Sequence, residues 1–365
     1  MTATQKKIIV PIIVVLAGFI LGAIIMLAFG YNPIYGYEDL FTTALGTPRA
    51  IGNTLNIVGP LVLTALGFAT AMKVGLFNIG MSGQALAGWF AAVWFTLAFK
   101  GIPSFLLIPM LIIVGMLAGM IWAVIPGLLR AYLGTSEVIV TIMMNYIIIY
   151  VTSFLLFNVM PKSMILPNDP NQTLHVGQLF NLGWMDNLTQ NSSLNAGIFL
   201  VIIALLIMWV VFAKTTLGFE IRAVGLNPNA SDYAGISAKR TIINSMLIAG
   251  ALSGLAGVVY GFAYQGVGNF VYQSASLDIG FNGMAVALLG ENNPIGILVA
   301  GVLFGILQTG APGMQRDNIP PQIVSIVTAM IIFFVAIKFV IEHILPAVKE
   351  KKTAANVVKK GGKSQ

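Results

Sequence analysis

Cysteine is absent from this chain, and charged residues make up only 8% of it. The lack of cysteine excludes disulfides, thiolate metal sites, cysteine nucleophiles and iron–sulfur clusters. The two histidines are far apart in the sequence, so a histidine metal cluster is not expected. Soluble domains contain about 25% charged residues, and a chain of 365 residues that is 58% apolar cannot cover its surface in water. The composition therefore predicts an integral membrane protein.

Apolar segments long enough to cross a bilayer recur along the sequence. They predict an all-α integral membrane protein with about ten transmembrane helices, at 8–29, 54–72, 81–99, 104–126, 137–157, 196–213, 241–265, 275–290, 294–310 and 321–343. The first segment is too long for the core of a signal peptide, so we expect a retained helix. The eighth and ninth are short and lie close together, and a re-entrant pair at 275–310 is the alternative.

The distribution of basic residues predicts the orientation. With ten spans and a cytoplasmic N-terminus, 15 of the 19 basic residues fall inside, and those left outside are Arg49, Lys100, Lys162 and Arg316. This bias follows the positive-inside rule and places both termini in the cytoplasm. The net charge of +7 is thereby explained by topology and lipid contact, without nucleic acid. We expect an N-terminal helix and outer loop at 1–50, a membrane core at 51–345 with a cytoplasmic loop at 214–240, and a lysine-rich cytoplasmic tail at 346–365.

A polar sequence motif, which we call the polar phrase, occurs twice in the chain. The stretch FNIGMSGQALAG covers 77–88, and LDIGFNGMAVAL covers 277–288. In the predicted topology the two copies run in opposite directions, which predicts an inverted repeat relating spans two to five to spans seven to ten. Inverted repeats with glycine-interrupted helices are typical of transporters. The phrases supply candidate pathway residues, although small residues could instead serve close helix packing; the candidates are Asn78, Ser82, Gln84, Asp278 and Asn282.

A polar stripe also follows the fifth span. Glu137, Thr141 and Asn145 are four residues apart and share one helix face. Such a stripe faces protein or a water-filled cavity, so Thr141 and Asn145 are further pathway candidates, while Glu137 could simply favour the positive end of the helix dipole. In the seventh span, glycines at one-turn spacing predict a helix-packing surface: Gly250, Gly254, Gly257 and Gly261.

The loop TTLGFEIRAVGLNPNASDYAGISAKR, at 215–240, is far more charged than the rest of the chain. Asn227 as N-cap, Pro228 in the first turn and Gly235 at the end predict a short helix. Its body includes Ala230, Asp232 and Ala234. We interpret it as a cytoplasmic docking element for another protein; the alternative is an amphipathic helix at the membrane surface.

These features together resemble one family. Four stretches are similar to motifs in the permease subunits of bacterial ABC importers of the nucleoside and simple-sugar group, a branched-chain amino acid-like permease family. The nucleoside branch is the most similar. The stretches are NIGMSGQ, LGTSEVIVTIMMNYI, TLGFEIRAVGLNPNASDYAGIS and GFNGMAVALLGENNPIG. The resemblance covers roughly 50–345. It implies a permease core at 51–345 and a transporter subunit without enzymatic activity.

The resemblance also implies partners. They would be a cytoplasmic ATP-binding subunit, a second permease (often a non-identical paralogue), an extracytoplasmic substrate-binding lipoprotein and the lipids of the bacterial cytoplasmic membrane. Residues 227–235 would form the coupling helix that contacts the ATPase. No cofactor is expected on this chain, since it lacks the G-x-x-x-x-G-K-[ST] phosphate loop, and ATP and Mg²⁺ would bind the partner ATPase. The implied substrate is a purine or pyrimidine nucleoside, with simple sugars as the alternative.

A carrier driven by protons or sodium is the main rival interpretation. Such carriers commonly need an ionisable group or a cage of backbone carbonyls near the midplane. Here the acidic residues lie at predicted helix ends or in loops, with Asp278 the one candidate for an interior position. This distribution disfavours proton coupling and leaves sodium coupling open.

Overall fold

The computed structural model describes residues 3–177, 179–264, 268–327, 329, 330 and 333. The chain divides into two compact units, one made of Met1–Leu40 with Ala311–Gln365 and the other of Phe41–Gly310. The last part of the predicted tenth span and the whole lysine-rich tail lie outside the described residues.

In the first unit, α1 (Ala3–Ala28) occupies the predicted first span. The next helix, α2 (Pro33–Leu45), begins in this unit and lies where an outer loop was predicted. The Tyr37 hydroxyl donates a hydrogen bond to the Phe19 carbonyl oxygen at 2.6 Å, and the two rings meet edge to face. The unit also contains a 3₁₀-helix (Ala311–Asp317) and helical residues 321–327.

The second unit contains the remaining helices. They are α3 (Pro48–Lys73), α4 (Met81–Ala98), α5 (Ser104–Leu133), α6 (Glu137–Phe154), α7 (Gly183–Leu188), α8 (Gly197–Lys214), α9 (Thr216–Leu226), α10 (Pro228–Tyr233), α11 (Ala238–Val258), α12 (Asp278–Leu289) and α13 (Pro294–Gly310). Short π-helical turns extend α6 through Leu155–Val159 and α11 through Val259–Tyr264.

The loop between α6 and α8 is not wholly helical. After a 3₁₀ turn (Lys162–Met164), strands β1 (Ile165–Leu166) and β2 (Asp169–Thr173) pair antiparallel. An isolated bridge also joins Gln172 to Val271. Among the described residues the predicted spans are therefore mainly helical, while the loop between α6 and α8 adds a small hairpin.

Six of the described helices, with their extensions, are long and apolar enough to cross a membrane: Pro48–Lys73, Ser104–Leu133, Glu137–Val159, Gly197–Lys214, Ala238–Phe262 and Pro294–Asp317. The predicted eighth span differs from expectation. Its helix, α12, has 12 residues and extends about 18 Å at 1.5 Å per residue, well short of the ~30 Å hydrocarbon layer. Residues 268–277 before it are not helical, so 275–290 is not a full helical crossing.

Helices α3 and α11 form the centre of the second unit. In the most apolar window of each, 83% and 72% of residues are buried, against 22% in α5. Close approach requires glycine: a Cβ at Gly254 would overlap the Gly115 carbonyl group of α5, and one at Gly257 would overlap the Ala85 carbonyl group of α4. The predicted packing surface on α11 is thus confirmed, and it seats α4 and α5 directly on that helix.

Candidate functional site

The chain leaves helical conformation between α3 and α4, where the first polar phrase begins. Gly75 adopts a φ of +87°, which a glycine tolerates without steric cost. Residues 76–79 follow in a non-helical conformation before α4 starts at Met81. Buried backbone groups in such a segment need partners from elsewhere in the protein.

Helix α6 supplies these partners from its polar stripe. The Glu137 carboxylate accepts a hydrogen bond from the Phe77 N–H at 3.5 Å, and the Thr141 hydroxyl oxygen accepts one from the Ile79 N–H at 3.2 Å. We call the three stripe residues, Glu137, Thr141 and Asn145, the polar ladder.

Asn145 makes the two central contacts of the polar ladder. Its Nδ2 donates to the Ile79 carbonyl oxygen at 3.0 Å, and its Oδ1 accepts from the Gly83 N–H at 2.9 Å. The Gly83 N–H belongs to the first turn of α4, where no intrahelical acceptor is available. The side chain of Asn145 is 3% exposed, so water does not replace these bonds.

Asn78 and Gln84 complete the start of α4. Asn78 Oδ1 accepts a hydrogen bond from the Gly80 N–H at 2.9 Å, which closes a local turn. The amides of Asn78 and Gln84 also face each other at 3.4 Å, and both side chains are buried. Their polar atoms are therefore engaged within the protein.

The two polar phrases meet each other. The Ser82 hydroxyl of α4 donates to the carbonyl oxygen of Leu277, the residue before α12, at 2.7 Å. From α3, the Thr64 hydroxyl donates to the Ile279 carbonyl oxygen at 3.0 Å. Glycine is required at this junction because a Cβ at Gly280 would lie 2.5 Å from the Ser82 backbone nitrogen.

The polar side chains of the second phrase are more exposed than those of the first. Asp278 is exposed in the first turn of α12, and Asn282 is half-buried one turn later. Among the described residues, neither side chain has a hydrogen-bond partner. The seven predicted pathway residues are thus brought to one region, where Asn78, Ser82, Gln84, Thr141 and Asn145 are buried and partnered while Asp278 and Asn282 are accessible. A pathway role for them stays a prediction.

The predicted cytoplasmic helix is present as α10, with its predicted cap. The Asn227 side chain accepts a hydrogen bond from the Ala230 N–H at 3.1 Å, and Pro228 occupies the first turn. At the other end Gly235 has a φ of +83°, and the Ile236 N–H donates to the Ser231 carbonyl oxygen at 2.9 Å. This is the Schellman arrangement that ends a helix.

The outer surface of this element carries two residues that the sequence analysis did not single out. Tyr233, the last residue of α10, is 96% exposed, and Leu226, the last residue of α9, is 89% exposed. Exposed aromatic and aliphatic side chains on a rigid, capped element suit the centre of a protein–protein contact. Ala234 and Asp232 are exposed beside them, and Asp232 Oδ1 accepts a hydrogen bond from the Ala238 N–H at 2.8 Å, at the start of α11.

Helix α9 attaches this element to the core. Ile221 and Val224 are fully buried in a cluster with residues of α3 and α11. Gly225 approaches so closely that a Cβ would overlap the Lys73 carbonyl group at the end of α3. Lys73 in turn lies 4.9 Å from the centre of the Phe212 ring of α8. The segment that precedes the polar phrase is therefore in direct contact with the base of the α9–α10 element.

Comparison with known proteins identifies the family. Residues 50–336 match the family described as branched-chain amino acid transport system / permease component. The chain is 60% identical to the nucleoside ABC transporter permease protein NupB of Lactococcus lactis subsp. cremoris over 100% of both chains. It is 40% identical to the guanosine ABC transporter permease protein NupP of Bacillus subtilis, over 96% of this chain and 99% of that one.

A further relative is the nucleoside ABC transporter permease protein NupC of the same Lactococcus, which is 27% identical over 70% of this chain and 80% of that one. No solved structure matches the chain. The family match spans most of the sequence, and the relatives are named as ABC transporter permeases rather than enzymes. The chain therefore belongs to the family of permease components typified by branched-chain amino acid transport systems, and it is a multi-pass membrane transport protein.

Proposed function

We propose that this chain is the membrane-spanning permease subunit of an ATP-driven importer of purine or pyrimidine nucleosides. The observation that carries the proposal is the 60% identity, along the full length of both chains, to a permease named for nucleosides. The 40% identical relative, named for guanosine, supports the same substrate class over simple sugars.

The proposed importer contains three further kinds of subunit. A cytoplasmic ATPase binds ATP and Mg²⁺, a binding lipoprotein delivers the nucleoside from outside, and a second permease completes the membrane part. The chain's similarity to both NupB and NupC of one organism supports a non-identical second permease.

The coupling surface is the segment 227–235 on α10. Its residues are those that form, cap or flank that helix, namely Asn227, Pro228, Ala230, Asp232, Ala234 and Gly235. The exposure of Tyr233 adds an anchor for a groove on the ATPase. Tyr233→Ala is expected to reduce the amount of ATPase that co-purifies, while Tyr35→Ala, which truncates an exposed tyrosine on α2, leaves it unchanged. Equal recovery of the ATPase with the two variants would show that Tyr233 is not part of the contact.

The proposed topology has about ten membrane-embedded segments, of which 275–290 is not a full helical crossing. Both termini lie in the cytoplasm, and an inverted repeat relates segments two to five to segments seven to ten. Two features support the repeat: each polar phrase starts a helix after a non-helical segment, and the two helix starts contact each other through Ser82 and Leu277. Contact of two helix starts is expected where broken helices of opposite direction meet inside a transporter.

A mild-detergent pull-down of the tagged chain from its native membrane, followed by mass spectrometry, tests the proposal. We expect an ATPase and a second permease to be recovered with the chain at fixed stoichiometry. Reproducible recovery of the chain alone, together with transport after reconstitution without ATP, would refute the ATP-driven importer and favour the ion-coupled carrier.

A further inference from the structure

One face of α6 carries aromatic side chains that the second unit leaves uncovered. Tyr146, Tyr150, Phe154 and Phe157 are 57%, 74%, 60% and 46% exposed. Their spacing of four, four and three residues places them on one side of the helix. We call these four residues the aromatic strip. The polar ladder lies on a different face of the same helix and is buried against the start of α4.

The two tyrosines lie at the middle of the span. In the candidate span Glu137–Val159 they flank its midpoint by two residues on either side, or about 3 Å at 1.5 Å per residue. About 12 Å of hydrocarbon then separates each tyrosine position from the nearer headgroup layer, a distance that a tyrosine side chain cannot bridge by snorkelling. A hydroxyl facing lipid tails without a hydrogen-bond partner is unfavourable, so lipid is a poor neighbour for this face.

Other exposed helix faces look different. On α5 the exposed side chains between the ends are aliphatic, namely Met110, Ile113, Leu117, Ile121, Ile125 and Leu128, and the exposed tyrosine is Tyr132, close to the end of the helix. This is the usual pattern for a lipid-facing helix, with aromatic residues near the membrane interfaces. Among the described candidate spans, α6 alone exposes tyrosines in its central turns.

The aromatic strip contacts the segment that precedes the second polar phrase. Where the strip ends, the rings of Phe157 and Tyr272 lie 5.5 Å apart. Tyr272 is held by its N–H, which donates to the Asn171 carbonyl oxygen at 2.8 Å. It lies on the non-helical segment 268–277 that leads to α12 and to the contact between Leu277 and Ser82. Aromatic surface therefore extends from the outer end of α6, in the proposed topology, to its middle.

We propose that the aromatic strip lines the translocation pathway and that Tyr146 and Tyr150 stack against the base of the passing nucleoside. The inference rests on the proposed function and assigns a part of this chain to its substrate. Every nucleobase has a π face, so stacking on aromatic rings accepts purines and pyrimidines alike. The tyrosine hydroxyls add hydrogen-bonding groups for a polar ligand at a depth where lipid offers none. The second permease closes the other side of the pathway.

Photolabelling with 8-azidoadenosine tests the inference on the complete importer. In the wild-type complex we expect the label on a peptide that contains Tyr146 and Tyr150, and we expect excess unlabelled adenosine to prevent it. The double variant Tyr146→Ala/Tyr150→Ala is expected to lose this label and to import adenosine at least about fivefold more slowly at low concentration. Tyr146→Phe/Tyr150→Phe keeps both rings and is expected to retain most of the uptake.

The matched control is Leu117→Ala/Ile121→Ala, which truncates two exposed side chains four residues apart on α5. Uptake by the double tyrosine-to-alanine variant equal to that of this control would overturn the inference. Loss of the second permease from the purified complex of that variant would also overturn it, because the strip would then be a subunit interface. A wild-type complex that imports no nucleoside would instead refute the proposed function itself.

Discussion

The polar ladder of α6 leads to a quantitative prediction for Asn145→Leu. Leucine has a similar volume but removes the donor to the Ile79 carbonyl oxygen and the acceptor of the Gly83 N–H. Hydrogen bonds between membrane helices contribute about 0.6 kcal/mol each on average, so two lost bonds set a lower bound of about 1.2 kcal/mol. Each backbone group left unsatisfied in a buried position costs about 1–3 kcal/mol. With two such groups, we expect a total loss of about 2–6 kcal/mol.

The assay for this prediction is the thermal unfolding midpoint of the purified subunit in mild detergent, measured together with nucleoside uptake. Asn145→Gln keeps a donor and an acceptor, and we expect it to lower both quantities less than Asn145→Leu does. Asn158→Leu is the matched control, because the Asn158 amide donates to the Phe154 carbonyl oxygen at an exposed position near the end of the same span.

Two results would refute this reasoning. If Asn145→Leu unfolds at the same temperature as Asn158→Leu, the ladder bonds do not stabilise the start of α4. If Asn145→Gln and Asn145→Leu support equal uptake, the hydrogen-bonding capacity of this side chain has no role in transport.

Three further predictions follow from the packing. Gly254→Ala places a Cβ against the α5 backbone and is expected to destabilise the subunit by about 1–3 kcal/mol. In the control Gly101→Ala the new Cβ meets no atom within 4 Å, so we expect no change in stability. The thermal unfolding midpoints of the two variants provide the comparison. Ser82→Ala removes the hydrogen bond that joins the two helix starts, and we expect about 1 kcal/mol of destabilisation and reduced uptake. Gly235→Val forces a β-branched residue into a left-handed conformation and is expected to uncouple ATP hydrolysis from uptake while the membrane part stays folded.

Each of these predictions has an opposing result. Equal unfolding midpoints for the two glycine variants would mean that α5 and α11 can separate without cost. Uptake and stability unchanged in Ser82→Ala would show that the junction of the polar phrases does not depend on its hydrogen bond. Full uptake by Gly235→Val would contradict the assignment of 227–235 as the coupling helix.

Local patterns in the sequence predicted local features well. The caps of α10 follow from Asn227, Pro228 and Gly235, because these residues act within one or two turns. The four-residue spacing of the ladder and the glycine spacing of α11 likewise predicted which side chains share a face. Helical periodicity fixes such sets whatever the partner is.

Features that depend on partners distant in the sequence were not predictable. The stripe of α6 indicated a polar neighbour, but nothing in it identified the backbone of Phe77 and Ile79, about 60 residues earlier. Hydropathy predicted a crossing at 275–290, yet apolar composition does not encode where a helix begins, and the chain is non-helical through 277. The hairpin at 165–173 escaped notice because DPNQT has little β propensity and is supported by the long-range bridge to Val271.

Transport by the purified importer in proteoliposomes, with labelled guanosine outside and ATP trapped inside, tests the central claim most directly. We expect guanosine to accumulate only when ATP, the binding lipoprotein and this chain are all present. Unlabelled nucleosides are expected to reduce the accumulation by competition, whereas glucose is expected to have no effect. Accumulation that is independent of ATP, or that is abolished by glucose and unaffected by nucleosides, would contradict this claim.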